Sequence, residues 1–207
     1  MWVPQEMVQT QYHQYLTERR ADKGCEFLLE NPNFINWYRA SDSQQLMIFG
    51  DMGSGKSFAM AFLADELVRR SKHQLPQPKV CYYYCRDDET GKTVFILSAI
   101  ITSLPGQLTG LKKPFVQWYK EAQTSGDFDP ATNFKTLGEF LCRVLEAIDR
   151  PVFMVIDGLD ECNRESRSNL LTILRKLSQG VLLKIILSSR AKERSWNSFT
   201  IRLRSKW

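Results

Sequence analysis

The chain has 207 residues, 43% hydrophobic and 25% charged, with a formal net charge of +5. That balance fits a globular fold with a real core, most simply one domain with a small appendage, and excludes a disordered or fibrous chain. No apolar run approaches the ~18 residues a bilayer-spanning helix requires, and the first twenty residues hold no long apolar segment, so no secretory signal is read and the expected compartment is the cytosol.

In chain order, a helix is predicted from about Gln5 to Arg20, with Val8, Tyr12, Tyr15 and Leu16 on one side. A short helix starts near Asn31-Pro32, since proline suits a first helical turn. "QQLMIFG" is an apolar strand running into a glycine-rich loop. "KSFAMAFLADELVRR" then has helical spacing, with Phe58, Phe62 and Leu63 on one face. "KVCYYYC" is a second strand, nearly continuous in apolar character, as suits a parallel sheet covered on both faces. "TVFILSAIITSL" is a helix by length. Residues 105–132 are polar and glycine-dotted, with one helix expected over "PFVQWYKEAQ". "NFKTLGEFLCRVLEAI" is an amphipathic helix with Phe134, Leu137, Leu141, Val144, Leu145 and Ile148 as its stripe. Strand "PVFMVID", helix "SRSNLLTILRKLS", strand "LLKIILSSR" and the alternating strand "FTIRLR" complete the series.

Strands alternating with helices imply right-handed crossovers and an α/β fold, a parallel sheet with helices on both faces. Residues 1–40 read as an N-terminal helical extension or linker and 41–207 as the core. The chain stops just after its last strand, so a fragment of a longer protein is expected. The five cysteines, Cys25, Cys81, Cys85, Cys142 and Cys162, are odd in number and lack a C-x-x-C spacing, and His13 and His73 lie far from any cysteine pair. They read as reduced thiols in or near a core, not as metal ligands. From Arg190 to Trp207 there are six Lys/Arg and one Glu, which carries the whole net charge. No groove-reading motif accompanies this basic end, so contact with further parts of a longer protein is expected rather than nucleic acid or membrane.

The stretch "GDMGSGKS" fits G-x-x-x-x-G-K-[ST], and it follows a strand and opens a helix, as a phosphate loop must. Its glycines let backbone N–H groups curl inward as an anion nest, and the helix N-terminus adds partial positive charge. The candidate cradle is Gly50, Asp51, Met52, Gly53, Ser54, Gly55, Lys56, Ser57 and Phe58. Lys56 is expected at the β- and γ-phosphates and Ser57 on Mg²⁺. In "VFMVIDGLDEC", Asp157 ends an apolar strand at the edge where α/β sheets bind ligands, and suits the metal's second anchor through water. Asp160 and Glu161 are candidates for orienting an attacking water, although each taken singly also reads as part of a solvated acidic loop. Three acids within five residues need a cation or hydrogen bonds to offset their repulsion. Arg190, just past "KIILSS", is placed to sense a γ-phosphate, or else begins the basic end.

"GDMGSGKS", "MVIDGLDEC" and "ILSSR", in this order and spacing, resemble the NACHT domain of STAND-class P-loop NTPases. The upstream "GCEFLLENPNFINWYRASDSQQLMIFG" is similar to the segment before the loop in fungal NACHT proteins, of NOD-like receptor or heterokaryon-incompatibility type. Gly24, Cys25, Glu26, Leu29, Phe34 and Trp37 match it. Phe27 stands where tryptophan is usual, a threonine is absent, and Met52 replaces a frequent proline. The resemblance implies a three-layer αβα fold with a mainly parallel five-stranded sheet, order 5-1-4-3-2, which sets Arg190 beside the γ-phosphate. It also implies an acidic pair, Glu161 with Asp160, near the hydrolytic water, and a base site near Gly24 and Cys25. The implied function is a slow ATP- or GTP-hydrolysing switch that controls nucleotide-dependent homo-oligomerisation. Winged-helix, repeat and effector regions are the implied partners.

Other readings stay open on the residues alone. A remodelling ATPase needs a neighbour's arginine finger and a lid, and no clear site for either is present. A small-molecule kinase carries an arginine-rich lid and an acceptor pocket, whereas "GLDEC" points to water activation. A signalling GTPase shows N-K-x-D, and "LSSR" holds that place instead. A nucleotide-independent scaffold has no need of Lys56, Ser57, Asp157 and Glu161 together.

Overall fold

The computed structural model describes residues 5–87, 89–107, 113, 116, 117, 120, 121, 133–148, 150–190 and 198–203. Of the helix expected over 114–123, residues 116, 117, 120 and 121 are described and are helical, and the others lie outside the described residues, as does most of the basic end. In chain order the elements are α1 (Gln5–Arg19), α2 (Pro32–Arg39), β1 (Gln44–Phe49), α3 (Lys56–Ser71), β2 (Lys79–Tyr84), α4 (Thr93–Gln107), α5 (Phe134–Glu146), β3 (Val152–Asp157), α6 (Arg164–Gly180), β4 (Leu183–Ser189) and β5 (Ser198–Arg202). Three helices start at an asparagine whose side chain accepts a first-turn amide: Asn31 from Asn33, Asn133 from Lys135 and Asn163 from Ser166.

The five strands form one parallel sheet, order β2-β3-β4-β1-β5, which is the expected 5-1-4-3-2. Successive strand residues point to opposite faces, and both faces are covered. Leu46, Ile48, Val155 and Ile186 pack with Leu16, Phe34, Trp37, Met60, Leu63 and Leu67 from α1, α2 and α3. Met47, Phe49, Met154 and Ile185 pack with Ile96, Leu141, Leu145, Leu170 and Leu174 from α4, α5 and α6. The result is a three-layer αβα fold in which β1, β3 and β4 are buried along nearly their whole length. Among the described residues, no helix is long and apolar enough to cross a membrane.

Side-chain amides cover groups at both edges of the sheet, where unpaired backbone invites wrong pairing. At β2, Gln9 of α1 donates to Tyr84 O at 3.3 Å and accepts from Tyr84 N at 2.7 Å. At β5, Asn33 of α2 donates to Thr200 O at 2.6 Å. The face of α1 that carries Tyr12, Tyr15 and Leu16 is only partly buried. Leu16 is buried, but Tyr15 is 45% exposed, stacked on Tyr12 with the Arg19 guanidinium over its ring. Its apolar body is covered by neighbours on the surface instead of by the core.

A lysine inside a strand is the least expected feature of the sheet. Lys184, 3% exposed, sends its Nζ to the carbonyls of Trp37 at 2.7 Å, Tyr38 at 3.2 Å and Ala40. These are the orphan carbonyls at the C-terminal end of α2, where a cation is favoured. Trp37 Nε1 donates to Gln44 O at 3.1 Å and completes the join between α2 and β1.

Candidate functional site

β1 delivers the chain to the C-terminal edge of the sheet at Phe49. Gly53 and Gly55 then take φ of +77° and +82°, left-handed values that only glycine adopts at little cost, and Gly55 caps α3. A Cβ on Gly50 would lie 2.9 Å from Leu203 O and would collide with Ser54, so the loop closes tightly at its base. Asp51, Met52 and Gly53 are exposed, while Ser54, Gly55, Lys56 and Ser57 are half-buried. Lys56 Nζ donates to Gly50 O at 2.7 Å and Asp51 O at 3.0 Å, across the mouth of the loop. Ser54 Oγ is buried with no protein partner. The partly buried side chain of Phe58, in the first turn of α3, packs against the core, which leaves its backbone to the candidate cradle.

Asp157 ends β3 one strand away from β4 and is 4% exposed. Ser188 Oγ donates to its Oδ1 and accepts from Gly158 N at 2.8 Å. Burial pushes the Asp157 pKa up, against the pull of the Ser188 and Ser57 hydroxyls and the Lys56 charge. After a turn at Gly158, buried Leu159 anchors a short 3-10 turn that carries Asp160 and Glu161. Arg190, at the end of β4, meets both acids. Its backbone N donates to Asp160 Oδ1 at 3.0 Å, its Nε lies 2.8 Å from Asp160 Oδ2, and its Nη2 donates to Glu161 Oε1. The guanidinium is the cation that offsets the acid cluster.

Lys56, Ser57, Asp157, Asp160, Glu161 and Arg190 thus converge at the ends of β1, β3 and β4, with β4 between the other two. Gly24 and Cys25 stand apart in what they touch. Gly24 N donates to Ala21 O, and Cys25, buried beside Leu28 and Phe34, accepts from Leu28 N. Their backbone hydrogen bonds stay in their own turn and the Cys25 side chain belongs to the core cluster, which gives the base-site expectation no side-chain support.

The residue types fit a magnesium–polyphosphate group. Ser57 and Asp157 offer hard oxygen ligands side by side, the glycine loop and α3 N-terminus offer amides, and Ser54 holds an unpartnered buried hydroxyl there. Two neighbours escape a motif reading. Ser188 was visible as a pair of serines ending an apolar strand. Tyr12, whose ring meets Tyr84 edge-on at 5.3 Å, left no local mark, because its place depends on how α1 docks.

Residues 23–190 match the family described as nephrocystin 3, N-terminal. The vegetative incompatibility protein HET-E-1 of Podospora anserina is 26% identical over 176 residues, covering 82% of this chain and 12% of that protein. The chain therefore spans only a small part of that curated relative. Two structures of the Aeropyrum Pernix ORC2 protein share the fold. Its ADP form has a TM-score of 0.51 at 15% identity, covering 79% of this chain and 43% of that one. Its ADPNP-ADP complexes give 0.52 at 14%, covering 90% and 48%. By the match over residues 23–190 and the likeness to HET-E-1, the chain belongs to the nephrocystin-3 N-terminal family and is a NACHT-type STAND P-loop NTPase domain.

Proposed function

We propose that this domain is a Mg²⁺-dependent switch that binds ATP or GTP, hydrolyses it slowly, and reports the difference between triphosphate and diphosphate to the rest of a longer signalling protein. The observation that carries the reading is the Arg190 clamp on Asp160 and Glu161, set one strand from the phosphate loop.

Lys56 exchanges the Gly50 and Asp51 carbonyls for β- and γ-phosphate oxygens, and the loop amides bind the remaining charge. Ser57 and Asp157 hold the metal, which when bound neutralises charge between the two phosphoryl groups. Arg190 is 49% exposed, and its partners Asp160 and Glu161 are 16% and 33% exposed. Ion pairs this open are worth about 0.2–1 kcal/mol each. A charge-assisted hydrogen bond to a phosphate is worth about 1.5–3 kcal/mol, so a γ-phosphate draws the guanidinium away. Glu161 is then free to accept a hydrogen bond from the attacking water. A diphosphate leaves the clamp closed.

Unequal interaction with the two states is what a switch requires. In this reading the acid loop is the element that differs, residues 1–40 are an extension on the 41–207 core, and winged-helix, repeat and effector regions receive the signal by nucleotide-dependent assembly in the cytosol. Arg190→Ala tests it. Calorimetry is expected to show tri- and diphosphate affinities, unequal in the parent, converging in the variant. An unchanged ratio would remove Arg190 from the switch.

A further inference from the structure

Two buried thiols that the nucleotide reading leaves unused stand together beside the acid turn. Cys85 follows β2 and is 3% exposed. Cys162 closes the 3-10 turn that carries Asp160 and Glu161 and is 4% exposed. They are 77 residues apart in the chain, yet their Sγ atoms lie 3.6 Å apart. All five cysteines are free thiols. The other three keep different company. Cys25 packs with Leu28 and Phe34, Cys81 Sγ accepts from Ser103 Oγ at 3.5 Å, and Cys142 Sγ lies 3.2 Å from Glu146 Oε1.

The backbone on either side of the pair is fixed. Tyr84 pairs with Asp157 in the β2–β3 register, and Cys85 N donates to Asp157 O at 3.0 Å. A Cβ on Gly158 would stand 2.5 Å from Cys85 O, and one on Gly91 would stand 2.9 Å from Cys162 Cα. The chain after β2 and the acid turn therefore meet backbone to backbone. A disulfide sets its sulfurs about 2.05 Å apart, so an approach of about 1.5 Å by the two side chains closes one. The turn is joined to β4 by ion pairs open to solvent, with Arg190 49% exposed. Such pairs add little stability, so local opening costs little and admits a small oxidant.

We propose that Cys85 and Cys162 are a redox modification site, where a peroxide closes a disulfide that ties the Asp160–Glu161 turn to the end of β2. One thiol sulfur attacks a peroxide oxygen, the O–O bond breaks, and the departing hydroxide leaves with the thiol proton as water. That sulfur is then a sulfenic acid. The second sulfur attacks it, the S–S bond forms, the S–O bond breaks, and a second water leaves. The two thiols lose two electrons and two protons, and the peroxide takes up both pairs. A dithiol reductant reverses the step by exchange. The thiol pair stands independently of the nucleotide reading, although the turn it ties is the one Arg190 clamps.

The test exposes the 207-residue chain to hydrogen peroxide without nucleotide, blocks the remaining thiols, and maps linked peptides by tandem mass spectrometry. One link is expected, Cys85 to Cys162, in the majority of chains. Dithiothreitol should remove it, and neither Cys85→Ala nor Cys162→Ala should form it. Amide exchange over residues 158–163 is expected to slow in the oxidised chain and recover on reduction. Links spread among Cys25, Cys81 and Cys142, as random pairing gives, would overturn the proposal. So would Cys85 and Cys162 that stay reduced, or that oxidise singly without joining, or a link that leaves exchange over 158–163 unchanged. The mapping of the parent decides even where a variant folds poorly. Nucleotide affinity is measured apart from it, so failure of either reading leaves the other standing.

Discussion

At the residue scale, the site and the structural joints use the same few side-chain types, and only their surroundings separate them. Lys56 and Lys184 both hold backbone carbonyls. Lys56 does so at an open loop, and Lys184 in a sealed space at the end of α2. Burial pushes the Lys184 pKa down to about 8 from an ordinary 10.5. Between those two values the unfolded chain holds more protons than the folded one, so this residue makes stability rise with pH across that window. Lys184→Met is expected to destabilise by about 1–3 kcal/mol near neutral pH, since it leaves helix-end carbonyls unpaired. It should also flatten the parent's rise in urea midpoint between pH 8 and 10.5. A parent–variant difference that does not depend on pH would count against this assignment. Lys56 was legible in the sequence because its glycine spacing is local. Lys184 was not, since nothing in "LLKIILSSR" names the helix it caps. Ser188 falls between the two: the serines were visible, but their bonds to Asp157 and Gly158 depend on the strand order.

At the element scale, apolar patterning, segment length and a proline signal together located the helices α1 to α6 and the strands β1 to β5. The nearly continuous apolar run of β2 pointed to a parallel sheet covered on both faces, and the stripe from Phe134 to Ile148 marked a helix on the core. Docking was harder to read. α1 was recognisable as a helix, but its seat on β2 comes from Gln9 and His13, which an apolar pattern counts as background. Gln9, 4% exposed, completes the edge strand at Tyr84. Gln9→Ala is expected to cost about 1–3 kcal/mol by leaving the Tyr84 groups unsatisfied, and to speed amide exchange in α1 and at the end of β2 before the sheet centre. Uniform loss of protection throughout the sheet would show instead that α1 is not a separable cover.

At the scale of the whole molecule, alternation of strand and helix limited the fold to a parallel sheet with crossovers, but left several strand orders open. The order came from resemblance, and it matters because β4 between β1 and β3 is what carries Arg190 to the acids. The base site was the expectation with the least to rest on, since recognition through backbone atoms leaves little trace in side chains, and Gly24 and Cys25 are engaged with their own turn. The central claim remains that Gly50 through Ser57, with Asp157, grips a nucleotide polyphosphate and magnesium. Calorimetric titration of ATP and GTP, with magnesium, into the parent chain and Lys56→Ala tests it most directly. The account predicts measurable binding to the parent and at least a tenfold loss in the variant, the ~1.5–3 kcal/mol of one charge-assisted hydrogen bond. Equal affinity in the two proteins, or no heat with either nucleotide in the parent, would contradict it.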